Sequence, residues 1–364
     1  MKKFLALSFI VVVFAEASAQ VTNCAQTLRL ARSTYDQGRL HELPGLLEHC
    51  LKDGFTDDQK VEAYKLLAEA YLYLEEPEKA DEAMLNLLRT NHYFQINENV
   101  DPAEFVGLYN TFRTKPVYNI GIKGGINGTF PMLMKNYYVG EGAKGNGKYG
   151  TTVAFQAGVV FEKNFFDRSK NKILKRITFA PELFYTIRSF AYSNPDIFPA
   201  DINPDSSVAS QTGSIKQNWI DVNAIIQYKL GESNLNPYVG FGPGISWLIG
   251  AQNQYVFTRD GGVGTVSGAA INVPKIYEKL VPSLVAIAGI KYQFGAIKLI
   301  VEGRLQYGLI NVTNPDSRSN PASVFNNVWT PNNYRQVNAT ANIGFVYPYF
   351  NPIKKSHKKI KAVK

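Results

Sequence analysis

Residues 284–309 read LVAIAGIKYQFGAIKLIVEGRLQYGL. Leu284, Ala286, Ala288, Ile290, Tyr292 and Phe294 alternate with Val285, Ile287, Gly289, Lys291 and Gln293. After Gly295 the pattern restarts, with Ile297, Leu299, Val301, Gly303, Leu305, Tyr307 and Leu309 on one face. Lys298, Ile300, Glu302, Arg304 and Gln306 form the other. A period of two is the signature of a strand, so this is a hairpin of two strands. One face is apolar and ends in aromatics, while the other carries charges in mid-strand. In water the charged face would point outward. In a transmembrane barrel the sense reverses, with apolar side chains to lipid and charges to the lumen. The rest of the chain decides between them.

Working outward, the same alternation recurs from Tyr118 to the C-terminal region. It predicts strands around 118–130, 153–161, 177–187, 220–228, 239–249 and 337–347, which with the hairpin make eight. The connections 131–150, 193–213, 250–282 and 311–334 are long and rich in Gly, Asn, Pro and Ser. The intervening ones are shorter, the longest being the basic stretch 162–176. Long loops at one end and turns at the other, with charges on the minor face, fit an outer-membrane barrel better than a soluble one. Its expected inward ionic network is Lys123, Glu162, Glu182, Arg188, Asp221, Lys291, Lys298, Glu302 and Arg304. Eight strands leave an interior that side chains fill, so these mixed charges are expected to pair and block it.

Ahead of the barrel the period is helical. Helices are expected to begin at Leu28, Leu43, Val61, Glu78 and near Asp101, with Gly38 and Pro77 as stop and start signals. Asp101, Pro102 and Glu104 read as N-cap, first-turn proline and capping-box acid of the last. The opening residues read as a secretory signal, 1–19: Lys2 and Lys3, an apolar run Phe4 to Phe14, then Ala17-Ser18-Ala19. Export puts Cys24 and Cys50, the two cysteines, in an oxidising compartment, and a disulfide between them is expected. The formal charge of +9 owes much to a terminal lysine run, read as a flexible tail over 351–364. An exported chain gives that run no nucleic-acid partner.

The expected class is therefore α+β multidomain: signal 1–19, periplasmic helical module 20–114, eight-stranded antiparallel transmembrane barrel 115–350 and basic periplasmic tail 351–364. Leu67, Ala68, Tyr71, Ala80 and Met84 fall at the packing positions of a tetratricopeptide repeat, which the third and fourth helices resemble. His92 and Leu87 depart from that pattern. The resemblance implies a docking module for peptides or partner proteins, against the alternative of a plain helical spacer. Tyr64, Tyr71 and Tyr73, with Lys354, Lys355, Lys358 and Lys359, are the candidate partner contacts. The segments YNIGIKGGI from Tyr118 and PYVGFGPGI from Pro237 resemble the PorT-type outer-membrane barrels of Bacteroidota, some of which serve protein secretion.

No histidine lies between Val117 and Tyr349, and no phosphate loop, Cys/His metal cluster or nucleophile elbow is present. Asp201 and Asp205 read as solvated loop acids. The expectation is a non-enzymatic protein without cofactor. Its partners would be outer-membrane lipid, periplasmic or outer-membrane proteins in secretion or membrane assembly, or peptidoglycan. The rivals are a narrow porin or ligand-binding barrel working through its outer loops, and a lipid- or wall-modifying enzyme.

Overall fold

A computed structural model describes residues 24–139, 147–167, 169–197, 209–231, 234–259, 265–319, 321 and 329–355. The expected signal segment, Asp201, Asp205, Lys358 and Lys359 lie outside them. The described chain forms two compact units, residues 24–116 with 350–355, and residues 117–349.

In the first unit, α1 (24–36) ends at Gly38, whose φ of +76° is the left-handed conformation that glycine adopts without penalty. It is followed by α2 (Leu43–Lys52), α3 (Asp57–Tyr73), α4 (Pro77–Thr90) and α5 (Ala103–Thr111). A capping box starts α3: Thr56 Oγ1 accepts from the Gln59 amide, and Gln59 Oε1 accepts from the Thr56 amide. The box expected at α5 does not form. Pro102 takes the N-cap position without a side-chain cap, because the Asp101 carboxylate is engaged elsewhere, by Lys65 and the Asn97 amide. The core is built from Leu43, Leu47, Ala63, Met84, Leu87 and Phe105. The Cys24–Cys50 disulfide, with Cα atoms 5.6 Å apart, closes the first helical hairpin.

Residues 350–355 complete this unit. The Arg113 amide donates to the Ile353 carbonyl and the Lys355 amide to the Thr111 carbonyl, while Phe112 and Lys354 form an antiparallel bridge. Phe350 packs its ring on His92 and Tyr93. The start of the expected free tail is thus held by backbone pairing.

The second unit is a single antiparallel sheet of ten strands among the described residues. Its long strands are β1 (Tyr118–Lys135), β2 (Lys148–Glu162), β3 (Ile177–Asn194), β4 (Ala209–Lys229), β5 (Leu235–Arg259), β8 (Leu280–Phe294), β9 (Ile297–Gly308) and β10 (Asn333–Tyr349). Two short strands, β6 (Thr265–Ser267) and β7 (Ile271–Asn272), add to β5 at the long-loop end. Each long strand pairs with its neighbour, β5 pairs with β8, and β10 pairs back onto β1, so the ring has no open edge. Tyr118 faces Tyr349 across the closing seam, so the chain enters and leaves the ring at the same end. The stretch 162–176 includes a short helix, Lys172–Lys175. Several strands outrun their expected limits at the long-loop end. β4 begins at Ala209, inside the expected connection 193–213, and β5 continues to Arg259, inside the expected connection 250–282.

Candidate functional site

The side chains that alternate inward meet along the axis of the ring. In mid-barrel, Lys123 Nζ donates to Glu182 Oε1 and to Glu302 Oε2, each at 2.8 Å. Arg304 donates to Glu182 and, at 3.1 Å, to Glu302 Oε1. Two cations therefore face two carboxylates, all fully buried. The Tyr238 hydroxyl donates to Glu302 at 2.6 Å and the Asn342 amide at 3.2 Å. Towards the turn end, Lys291 joins Glu162 at 2.5 Å and Gln227 at 2.7 Å. Towards the loop end, Arg188 bonds Asp221 at 2.7 Å, with Ser246, Gln306 and Gln336 around its guanidinium and the Trp219 ring 4.8 Å beneath.

Eight of the nine expected inward charges thus join pairs that balance one another. Lys298 does not. It is half-buried near the Gly295 turn and makes no ion pair among the described residues. The neutral partners Gln227, Ser246, Gln306 and Asn342 share the charged face, so their period-two position announced them. Tyr238 lies just ahead of the expected strand 239–249, so parity gave it no face, and the observed strand begins earlier, at Leu235.

Above the ionic layers lies a plug that sequence reasoning missed. Phe190, Tyr192, Trp219, Tyr255, Tyr277, Trp329 and Tyr334 fill the loop end of the ring. Tyr255 stacks on Trp329 with centroids 4.3 Å apart. Gly213 lies opposite Tyr255, and a Cβ there would sit 2.1 Å from the ring, so only glycine leaves the tyrosine room to cross the bore. The signal was present in β3, where Phe190 and Tyr192 continue the inward series of Glu182, Phe184, Thr186 and Arg188.

In the helical unit the proposed contact tyrosines divide. Tyr64 and Tyr71 are half-buried against the core, whereas Tyr73 is 55 % exposed. Lys354 pairs with Asp81, and Lys355 Nζ donates to the Asn110 carbonyl, so both are engaged within the unit. Unforeseen is a buried carboxylate, Glu69, beside Tyr35 and Lys65. Burial raises the Glu69 pKa above its ordinary value despite Lys65, and burial with the Glu69 charge raises that of Tyr35. Burial also pushes Asp101 upward, but the bonds from Lys65 and the Asn97 amide outweigh it and hold that carboxyl lower. Among the described residues no group of His, Cys, Asp and Glu could hold a metal ion.

The family described as an outer membrane protein beta-barrel domain matches residues 116–314. No curated protein matches the chain in sequence. Among solved structures, surface protein A of Neisseria is 14 % identical, covering 64 % of this chain and 97 % of its own, with a TM-score of 0.28. The attachment invasion locus protein Ail of Yersinia pestis is 10 % identical, with coverage of 64 % and 99 % and a TM-score of 0.27. The outer membrane protease OmpT of Escherichia coli is 8 % identical, with coverage of 64 % and 96 % and a TM-score of 0.25.

Proposed function

Since the chain belongs to the outer membrane protein beta-barrel domain family, we propose that it is a non-enzymatic anchor. Its blocked eight-stranded barrel holds a helical docking unit on the periplasmic side of the outer membrane. The observation that carries this reading is the bore itself. Its carboxylates are taken up by Lys123, Lys291, Arg188 and Arg304, and its loop end is filled by aromatic rings. That arrangement suits rigidity better than passage or turnover.

Both ends of the ring's chain leave at the turn end, which in outer-membrane barrels faces the periplasm. The helical unit then meets periplasmic partners, and its resemblance to tetratricopeptide repeats supports the recruitment of a peptide or protein. The PorT-like segments Tyr118–Ile126 and Pro237–Ile245 favour a role in a secretion or assembly machine. Tyr73 is the exposed one of the three contact tyrosines.

The test is deletion of residues 20–112 followed by pull-down from detergent-extracted outer membrane. The shortened protein is expected to insert as a heat-modifiable barrel and to lose its co-purifying partners. Unchanged partners in unchanged amounts would assign docking to the barrel or its loops.

A further inference from the structure

The outward face of the barrel wall carries a feature that anchoring does not use. At the long-loop end of the seam between β1 and β10 the register shifts between Leu133 and Lys135, which sets Lys135 opposite Asn333. Asn333 and Arg335 alternate with the buried Tyr334, so they point away from the bore. Arg318 donates to Asn333 Oδ1 at 2.5 Å and lies 3.4 Å over the Tyr137 ring, while Lys135 Nζ is 5.1 Å from the same ring. Arg335 donates to the Tyr307 hydroxyl at 3.1 Å. Three cations and two tyrosines therefore gather on one stretch of outer wall. Among the described residues no carboxylate pairs with any of the three. Arg318 Nη1 and Arg335 Nε, both shielded from solvent, have no acceptor among the described residues.

Down the same outward rows runs an apolar trough of about 630 Å³. Its floor is made small by Gly128 of β1, Ala286 and Ala288 of β8, Gly303 of β9, and Ala339 and Ala341 of β10. On β10 the outward series is Asn333, Arg335, Val337, Ala339, Ala341, so the trough begins about 13 Å along the strand from the guanidinium row. A void in a wall that faces lipid is filled by a flexible chain, because unfilled contacts forfeit dispersion energy. Guanidinium groups with no carboxylate partner among the described residues match phosphate oxygens. A cationic cluster at the rim and an acyl-sized trough beneath it are the two halves of one amphiphile's site.

We propose that this face binds a phosphorylated, acylated lipid of the outer leaflet. Its phosphate sits among Lys135, Arg318 and Arg335, and an acyl chain lies in the trough. The inference rests on the outer-membrane reading above, with the long loops outward.

The experiment uses the full-length mature chain in phosphatidylcholine bilayers, probed with bisphosphorylated lipid A. Its comparisons are the K135Q/R318Q/R335Q variant and Gly303→Leu, which fills the trough at a position where a Cβ would meet only the Ala288 carbonyl oxygen, at 3.9 Å. Heat-modifiable migration verifies folding, and Arg335→Gln alone replaces the triple variant should that one not fold. Binding is expected to weaken at least tenfold in the cationic variant and severalfold in Gly303→Leu. Dephosphorylated lipid A should bind wild type as weakly as the intact lipid binds the cationic variant, and inorganic phosphate should not displace the lipid. Equal binding by wild type and both variants overturns the proposal. So does full displacement by inorganic phosphate, which would make the cluster a plain anion site. Failure of the wild-type chain to insert in bilayers would instead overturn the outer-membrane reading itself.

Discussion

Glu302 accepts from four donors: Lys123, Arg304, Tyr238 and Asn342. Removing one partner of a buried ion pair leaves its counter-charge uncompensated. Glu302→Ala should therefore cost about 3–5 kcal/mol of barrel stability, read from urea midpoints of the gel-shifted form. A loss below about 1 kcal/mol would mean that Glu182 alone satisfies both cations. In the helical unit two carboxyls respond to pH in opposite senses. Asp101 has a lowered folded pKa, so its contribution is present above its ordinary value of 3.8 and fades as pH falls through the lower folded one. Glu69 has a raised folded pKa, so its contribution is present below 4.5 and fades as pH rises through the folded value. At neutral pH its buried charge opposes folding, and Glu69→Gln should raise the thermal midpoint of the helical signal near pH 7 but not near pH 4. A lowered midpoint at pH 7 would show that Lys65 and Tyr35 more than offset the burial. The inward charges were legible because strand parity assigns each residue a face without further information. Glu69 was not, because a helix stripe does not say which flanking position a neighbouring helix will cover.

Among elements, β9 tests which face meets lipid. Val301 points outward and is 60 % exposed, between inward Ile300 and Glu302. Val301→Arg should cost about 2–4 kcal/mol in a bilayer, measured by the same unfolding assay in vesicles. An unchanged midpoint would place that face in water. The expected strand centres lie within the observed strands, since each has a run of apolar alternation. The strand ends were not legible. Beyond the apolar band β4 reads Gln211, Thr212, Gly213, Ser214, and β5 reads Ala251, Gln252, Asn253, Gln254. Their outward residues are polar, so composition imitates a loop while the ladder pairing continues, Gln211 opposite Phe257 and Ser214 opposite Gln254. The expected cap of α5 failed for a similar reason. Asp101 is a good capping residue in isolation, but Lys65, far away in sequence, claims it.

For the whole molecule, closure is the property that matters. Eight long strands pair in a ring, and the ring's interior is taken up by ionic layers and an aromatic plug. Reconstituted protein should therefore show little steady ion conductance in planar bilayers. Large, sustained single-channel currents would restore the porin alternative. The ring was foreseeable from the even number of alternating segments and their long and short connections. The plug was less so, because it draws on Tyr192 and Tyr255, distant residues whose meeting is set by strand stagger, and on Trp329, which joins them from outside the strands. The partner of the helical unit was not legible either, since packing positions such as Leu67 and Met84 specify the helices' contacts with each other and say nothing of a ligand.

Residues 350–355 pair with Phe112, Arg113 and Thr111, and Phe350 covers His92 and Tyr93. Synthesis runs from the N-terminus, so the helical unit is made first and finished last. Every nascent or broken chain that stops short of Phe350 carries that unit with an unclosed seam around Phe112. The seam is a built-in mark of incompleteness, and it disappears only once the sequence of the entire ring has been delivered.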